Sequence, residues 1–361
     1  MNFSQLQLHA HSLLEENYQH QEWLIRFTAC EALAHIRDDR GIDTLIEGLQ
    51  HASALIRERA VVAVTALQKP ELYEFIEKYS ASDNDASVCG YAIIAAAKLK
   101  PQQCFFQIQK GLSNKNDLVK QRAIESMHIC STQPAIKELK KIALGEYDNQ
   151  LPYLLRLNAA YYLALEEKSG REALYTLLNS PDEWVQFITA KKLAMLNDST
   201  AIPYLKNMIT DGDWENKLSA IESLLLLEEN VIEDSLFLKP TQAPDIFTKI
   251  TAAIVLYKQF PDAAATTVKT SLESKEEELQ LHVIHQITRS GHHPLLVHAK
   301  PILQSGRENV RAAITIAIEK SEDAELVVLL EPIIARSHWI LRLQAAKTIL
   351  KIAQLQCQKS K

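Results

Sequence analysis

A short register of apolar and basic residues returns about every 31 positions along the chain, and it limits the possible fold more than any other feature. It first appears at Arg26, which Ile25 precedes and which Ala29 follows three residues later. The equivalent residues, here called anchors, are Arg26, Arg57, Cys89, Lys120, Arg156, Phe187, Lys217, Lys249, Gln280, Arg311 and Arg342. Neighbouring anchors are 30 to 32 residues apart, except for a step of 36 before Arg156. A fixed period of this size predicts a stack of structural repeats.

Each period divides into two helical segments, and the anchor lies early in the second. Apolar residues one before, three after and seven after the anchor form one stripe on that second helix. One pair of helices cannot bury this stripe alone, so neighbouring repeats must cover it. Second helices are predicted near 20–36, 53–68, 86–99, 117–131, 151–166, 183–197, 214–228, 244–259, 276–290, 308–320 and 338–356. We therefore predict one all-α domain over residues 1–361, a right-handed α-solenoid of about eleven helix pairs with a polar tail at 357–361.

The composition agrees with an all-helical core and disfavours several classes of partner. Hydrophobic residues make up 47% of the chain and aromatic residues 7%, so small aliphatic side chains form the core. A net charge of −6 disfavours nucleic-acid binding, since nucleic-acid-binding proteins usually carry an excess of basic residues. We expect no membrane span, because no run approaches eighteen apolar residues, and no secretory signal at the start. Five cysteines without Cys-x-x-Cys spacing suggest reduced thiols, and hence a cytoplasmic protein.

The second helices open with a recognisable pattern of an apolar residue, arginine, two variable residues and alanine. It stands at 341–345 as Leu-Arg-Leu-Gln-Ala, and Val310-Arg311 begins in the same way. This pattern resembles HEAT repeats, and more narrowly the short HEAT-like class named after phycobilisome lyases. The resemblance covers nearly the whole chain and implies a solenoid whose second helices line a concave surface. Three consecutive repeats lack the apolar residue before the anchor, at Gln186-Phe187, Asn216-Lys217 and Thr248-Lys249.

No motif in the chain points to catalysis or to a cofactor. A Gly-rich phosphate loop and a Gly-x-Ser-x-Gly elbow are both missing from the sequence. Deoxyhypusine hydroxylases, an enzyme class of similar repeats, bind iron through His-Glu dipeptides, and this sequence has none. Five histidines lie between His282 and His298, but no carboxylate or thiolate joins them in a metal-ligand pattern, which favours a solvated polar face. We expect no catalytic residues, no metal and no cofactor.

Two features of the repeat allow both a structural and a functional interpretation. The basic anchors could form a ladder for a partner, but we favour bonds from each cation to carbonyls or carboxylates of the neighbouring repeat, which would offset its unfavourable place near a helix N-terminus. The step of 36 places about five extra residues within 145–153. Insertions in solenoids become loops on one edge and often carry recognition. Tyr147 and Tyr153 are therefore candidate contact residues, although a tolerated surface insertion is an equal alternative.

Positions two, five and nine after the anchor lie on the face turned away from the core stripe. In the middle of the array, positions five and nine become apolar, at Ile94, Ile129, Tyr161, Leu165, Leu196, Leu226 and Ile254. An apolar strip with interleaved charges on an otherwise solvated face fits a partner-binding groove. The alternative is a superhelix tight enough to bury these side chains. The candidate partner-binding residues are Tyr91, Ile94, Arg122, Glu125, Tyr161, Leu165, Lys192 and Leu226.

These patterns favour a non-catalytic scaffold or adaptor that holds a peptide or a helix of another protein on its concave surface. Two other functions stay open. The resemblance alone supports a phycobilin lyase-type or other cofactor-handling helper subunit, which would co-purify with a coloured chromophore. A nucleic-acid-binding HEAT-like protein would show steeply salt-dependent binding to duplex DNA.

Overall fold

The computed structural model describes residues 1–146, 151–227 and 245–359, and these residues form helices joined by short turns. No β-strand occurs among them. The predicted all-α class of stacked helix pairs is confirmed. The right-handed sense of the stack stays a prediction.

The second helix of each pair starts within three residues of its predicted position. These helices are α2 (Trp23–His35), α4 (Ala54–Ala66), α6 (Ala86–Leu99), α8 (Asp117–Cys130), α10 (Tyr153–Glu166), α12 (Glu183–Met195), α14 (Trp214–Leu226), α15 (Ile246–Val255), α17 (Glu277–Ser290), α19 (Glu308–Ser321) and α22 (Trp339–Lys359). The last of them continues to Lys359, so 357–359 are helical. The regular second helices form the framework on which the candidate site is built.

The first helices are shorter and more often interrupted. They are α1 (Phe3–Asn17), α3 (Ile42–Gly48), α5 (Tyr73–Ser80), α7 (Phe105–Leu112), α9 (Gln133–Leu144), α11 (Lys168–Leu178), α13 (Ile202–Asp211), α16 (Pro261–Leu272), α18 (Lys300–Ser305), α20 (Ala324–Val327) and α21 (Glu331–Arg336). A 3₁₀ segment at His293–Ala299 precedes α18, because Pro301 has no N–H with which to continue an α-helix. The predicted helix at 230–239, together with Pro240 and Pro244, lies outside the described residues.

The side chain four residues before the anchor caps five second helices among the described residues, four of them as the sequence predicts. Asp85 accepts hydrogen bonds from the backbone N–H groups of Ser87 and Val88 at the start of α6. Asn116 and Asp245 cap α8 and α15 in the same way. Ser53 is the N-cap residue of α4, but its side chain makes no capping hydrogen bond. Where it forms, the cap therefore locates the anchor independently of the apolar stripe.

The cap shows that the anchor of the sixth repeat is Gln186, so the prediction of Phe187 is wrong by one residue. Asp182 caps α12, and Gln186 lies four residues after it. The Gln186 amide nitrogen donates to the carbonyl of Ser180 at 2.7 Å, six residues back, as Arg26 does to its own repeat. The neighbouring steps become 30 and 31 residues. Val185 is buried and now precedes the anchor, so this repeat no longer lacks its apolar residue.

The contacts divide the chain into two compact units. The first contains Met1–Gly41, Asp213–Glu222 and Ile232–Lys361, and the second contains Ile42–Gly212 and Ser223–Val231. In the second unit, α6 packs on α8, and α8 packs on α10. In the first unit, α1 and α2 pack against α22, so Leu14 and Ile349 belong to one core. The first and last repeats thus bury part of each other's apolar faces. The single domain over 1–361 stays a prediction.

Candidate functional site

Three of the predicted site residues meet where α6 lies beside α8. The guanidinium carbon of Arg122 lies 5.0 Å from the centroid of the Tyr91 ring. The Nη1 atom of Arg122 donates to Oε2 of Glu125 at 2.7 Å. Burial acts to lower the pKa of Arg122, but the hydrogen bond and charge of Glu125, together with Tyr91 and Tyr162, outweigh burial and raise the pKa. Arg122 and Tyr91 thus form a fixed, half-buried cation–aromatic pair, and the Glu125 carboxylate lies beside the guanidinium.

A second cation and aromatic pair joins α10 to α12. The ammonium nitrogen of Lys192 lies 4.4 Å from the centroid of the Tyr161 ring. Burial, and then the neighbouring charge of Lys191, lower the pKa of Lys192. A partly desolvated ammonium group gains more from a carboxylate than a fully hydrated one does. This pair is therefore suited to an acidic group of a partner.

The sequence did not single out two aromatic residues that connect these pairs. The Tyr162 ring is 5.6 Å from the Tyr161 ring and stacks on His128, with 5.3 Å between the ring centroids. His128 Nδ1 lies 2.7 Å from Oε1 of Glu166. Tyr162 and His128 are six and eight residues after their anchors, whereas the predicted exposed face contains only positions two, five and nine. We call Tyr91, Arg122, Tyr161, Tyr162 and Lys192 the aromatic–cation strip.

Large apolar side chains lie exposed nine residues after the anchor in three consecutive repeats. Leu165 is 48% exposed and Leu226 is 55% exposed. With Gln186 as anchor, the equivalent residue of the sixth repeat is Met195, which is 54% exposed. With Phe187 as the predicted anchor, this position had fallen on Leu196, which is half-buried. The Asp182 cap is the sequence signal that would have found Met195. We call Leu165, Met195 and Leu226 the exposed ladder.

Two other apolar residues of the predicted strip belong to the core. Ile94 is 7% exposed, and Ile254 is fully buried. The backbones of neighbouring repeats come close enough to cover these side chains, as the alternative of a tight superhelix anticipates. A partner cannot reach Ile94 in this conformation, so the predicted role of Ile94 at the surface is wrong.

The inserted segment is described in part. Tyr147 lies outside the described residues. Tyr153 begins α10 and is exposed, as is Leu154 beside it. Before the insertion, Gly145 ends α9 with a positive φ of 76°. An added Cβ at Gly145 would lie 2.8 Å from Nη2 of Arg156, so the guanidinium of this anchor packs on the start of the insertion.

Several anchor cations are occupied by bonds within the stack, but the carbonyls of the two examples below belong to the cation's own repeat and not to the predicted neighbouring repeat. Arg26 Nη1 donates to the carbonyl of His20 at 2.7 Å. Arg342 Nε donates to the carbonyl of Ile334 at 2.9 Å. These cations satisfy carbonyls where the chain turns into the second helix. They tie helices together instead of facing a partner.

Two histidines of the cluster, His282 and His292, are half-buried and pack against aromatic rings, which differs from the solvated polar face that the sequence favours. His282 Nε2 lies 3.0 Å from the Thr251 hydroxyl, and the imidazole meets the Phe247 ring edge-on at 5.1 Å. The His292 ring lies 5.3 Å from the Tyr257 ring. Burial lowers the pKa of both imidazoles, so they are neutral at physiological pH. Among the described residues, no three His, Cys, Asp or Glu side chains lie close enough together to hold a metal ion.

Comparison with known proteins identifies the repeats. The profile of HEAT repeats matches residues 12–89 and 148–225. These two stretches therefore contain HEAT repeats, in agreement with the resemblance seen in the sequence. The finer assignment to the phycobilisome-lyase class stays a prediction.

Similar solved structures include three of low identity. An engineered protein is 15% identical, with a TM-score of 0.31, over 96% of this chain and 99% of its own. Human deoxyhypusine hydroxylase in complex with glycerol is 15% identical, with a TM-score of 0.27, over 76% and 82%. A homology model of the AP-3 complex is 12% identical, with a TM-score of 0.36, over 99% and 86%. No curated protein matches the chain. None of the helices among the described residues is both long and apolar enough to span a bilayer.

Proposed function

We propose that the chain is a protein-interaction scaffold, and that the exposed ladder and the aromatic–cation strip hold a helix of another protein. Repeat solenoids generally provide extended surfaces for this purpose. This proposal rests mainly on the exposed ladder. Single exposed apolar residues are common, but large ones that return at one position of three consecutive repeats mark a binding surface. Covering one such side chain contributes about 1.5–3 kcal/mol at most.

An amphipathic helix is the partner that we infer for the ladder. Neighbouring packed helices are about 8–10 Å apart, so successive rungs should be separated by a similar distance. A helix rises about 1.5 Å per residue, so two of its side chains seven residues apart span about 10.5 Å. Apolar residues at i, i+7 and i+14 of a partner helix would meet Leu165, Met195 and Leu226 in turn. Lys192 beside the ladder favours an acidic residue on the same partner helix.

Site-specific photocrosslinking tests this proposal. A photoreactive amino acid replaces Leu165 in the full chain, and a matched control carries it at Leu55, an equally apolar exposed residue of α4. We expect position 165 to crosslink a partner that position 55 does not. Met195→Glu and Leu226→Glu should abolish that crosslink and leave the helical circular dichroism spectrum unchanged, because both side chains are exposed. Identical products from positions 165 and 55, or a crosslink that survives both glutamates, would refute the binding surface.

A further inference from the structure

The third repeat has a cysteine where most other repeats hold a basic anchor. The second repeat shows what the basic side chain normally does. Arg57 Nη1 donates to the carbonyls of His51 and Ala52 at 2.9 and 3.0 Å. Its Nε and Nη2 atoms donate to the two carboxylate oxygens of Asp83 at 2.7 and 2.8 Å. The guanidinium thus lies between carbonyls five and six residues before the anchor and a side chain 26 residues after it.

Ala81, Asp83 and Asn114 lie around Cys89, but its short side chain does not bridge them. The thiol makes one weak contact, at 3.7 Å, with the carbonyl of Ala81. The residue 25 after Cys89 is Asn114, the counterpart of Asp83 in the next repeat. Each of the two accepts a hydrogen bond from the N–H two residues further on, at 2.8 Å in both cases. The third repeat therefore keeps the place of this side chain, with an amide instead of the carboxylate, and lacks the basic anchor.

A cavity of about 300 Å³ occupies this place between α5, α6 and α7. Its lining includes Tyr73, Glu77, Asp83, Cys89, Gln107 and Asn114. This volume lies at the lower end of the range for small-ligand pockets. In the sixth repeat, a smaller cavity of about 180 Å³ is lined by the anchor Gln186. Loss of the basic anchor thus coincides with a cavity in two repeats.

Two buried polar atoms in the lining of the larger cavity have no hydrogen-bond partner. They are the hydroxyl oxygen of Tyr73 and the Oε1 atom of Gln107. Tyr73 is 3% exposed, and burial is the main cause that raises its pKa, so the phenol is neutral. Gln107 is fixed in orientation because its Nε2 donates to Glu77 Oε1 at 2.6 Å. Its carbonyl oxygen is therefore an acceptor without a donor, an unusual state for a buried polar atom.

We propose that this cavity binds a guanidinium group, either from a small cation or from an arginine side chain of a partner protein. Guanidinium is planar and carries five donors and no acceptor, which suits the open acceptors of Gln107 and Tyr73. The Glu77 carboxylate supplies negative charge beside them. Lys110, the cation at the same cavity, donates to the Ser82 hydroxyl at 2.8 Å and leaves those acceptors open. The site is separate from the exposed ladder, and its test does not depend on the proposed scaffold function.

Isothermal titration calorimetry of the full chain with N-acetyl-arginine amide tests the site. The matched ligand is N-acetyl-citrulline amide, which has the same shape without the charge. Cys89→Arg should place the protein's own guanidinium in the cavity, raise the Tm and weaken binding at least tenfold. Cys89→Ser preserves the cavity and should bind like the wild type. Titration with agmatine distinguishes the two sources of the guanidinium group. If agmatine binds more tightly than N-acetyl-arginine amide, the natural ligand is a small cation, and if it binds more weakly, the ligand is a protein side chain.

Three outcomes would overturn the assignment. The first is no binding of either guanidinium compound to the wild type at millimolar concentration. The second is citrulline amide binding as tightly as arginine amide. The third is undiminished binding to folded Cys89→Arg. If that variant fails to fold, Gln107→Leu decides the matter, because it removes the open acceptor from a half-buried side chain. Its affinity should fall about tenfold, and an unchanged affinity contradicts the site.

Discussion

Glu319 on α19 lies between two ammonium groups of α22, and its replacement by glutamine offers a quantitative test of how the first unit is held together. Lys351 Nζ lies 2.8 Å from Oε1 of Glu319, and Lys347 Nζ lies 3.1 Å from Oε2. The Glu319 side chain is 13% exposed. Burial acts to raise the pKa of this carboxyl, but the two ammonium groups outweigh burial and lower the pKa to about 2. The carboxylate form is thus strongly favoured in the folded chain.

The size of the effect follows from the two pKa values. A change from 4.5 to about 2 is worth about 3 kcal/mol at about 1.36 kcal/mol per unit. The folded pKa is depressed, so this stability is fully present above the unfolded value of 4.5 and is lost as the pH falls towards 2. Glu319→Gln should therefore lower the free energy of unfolding by about 3 kcal/mol at neutral pH. The difference from wild type should shrink by about 2 kcal/mol between pH 5 and pH 3.

His35 on α2 faces the same cluster and titrates in a separate window. Burial, and then the charge of Lys347, lower its pKa from 6.5 to about 4, while Glu31 and Glu319 act to raise the pKa and Lys351 to lower it. The folded chain holds the neutral imidazole, so the associated stability is present above pH 6.5 and is lost as the pH falls to about 4. His35→Leu should flatten the pH dependence in this upper window and preserve the loss below pH 4.5.

Urea unfolding followed by circular dichroism measures these differences. The matched control is Glu325→Gln, a change of the same chemistry at an exposed carboxylate on α20, which we expect to alter stability by less than about 0.5 kcal/mol. Hydrogen exchange of α22 peptides shows whether the weakened helix belongs to this cluster. A Glu319→Gln variant as stable as the control, or a deficit of equal size at pH 5 and pH 3, would refute the charge cluster.

Two further changes test the packing within the second unit by urea unfolding. Asp182→Ala removes the cap of α12 and should cost about 1 kcal/mol; unchanged stability would contradict both the cap and the corrected register. Gly170→Ala should cost about 2 kcal/mol, because its Cβ would lie 2.1 Å from the backbone nitrogen of Ala164. The control, Gly291→Ala, meets no atom within 4 Å and should lose only about 1 kcal/mol through its positive φ. Equal losses at the two glycines would contradict the close approach at Gly170.

The second helices were predictable because two independent signals agree at their starts. In five repeats a capping side chain stands four residues before the anchor, and an apolar stripe follows the anchor. The sixth repeat failed because Phe187 is followed by Ala190 and Ala194, which imitate the stripe one residue late. The cap at Asp182 pointed to the correct register. Agreement between cap and stripe is thus a better guide to the anchor than the stripe alone.

The site was less predictable than the fold because exposure depends on how closely the neighbouring repeat approaches. The period identifies the face on which Ile94 and Leu165 lie, yet the first is buried and the second is half exposed. Sequence spacing also cannot show that Lys192 reaches the Tyr161 ring, since the two residues belong to different repeats. The packing of α1 against α22 joins positions more than 300 residues apart, beyond the reach of any repeat pattern.

Substitutions at anchor positions and at ladder positions differ in their effect on stability. At the anchor, a side chain such as Arg57 bonds two carbonyls and a carboxylate, so a short replacement leaves acceptors without donors. The cavity beside Cys89 holds two unpartnered side-chain atoms, the Tyr73 hydroxyl and Gln107 Oε1, a cost that a bound guanidinium would relieve. Nine residues later, Met195 and Leu226 contribute little to the stack, so their side chains can vary with the partner at small cost to stability. The binding surface at the ladder can therefore change without loss of the fold. A binding site at an anchor, in contrast, forms in a repeat that has lost stabilising bonds. Cys89→Arg should restore stability to the third repeat and close its site.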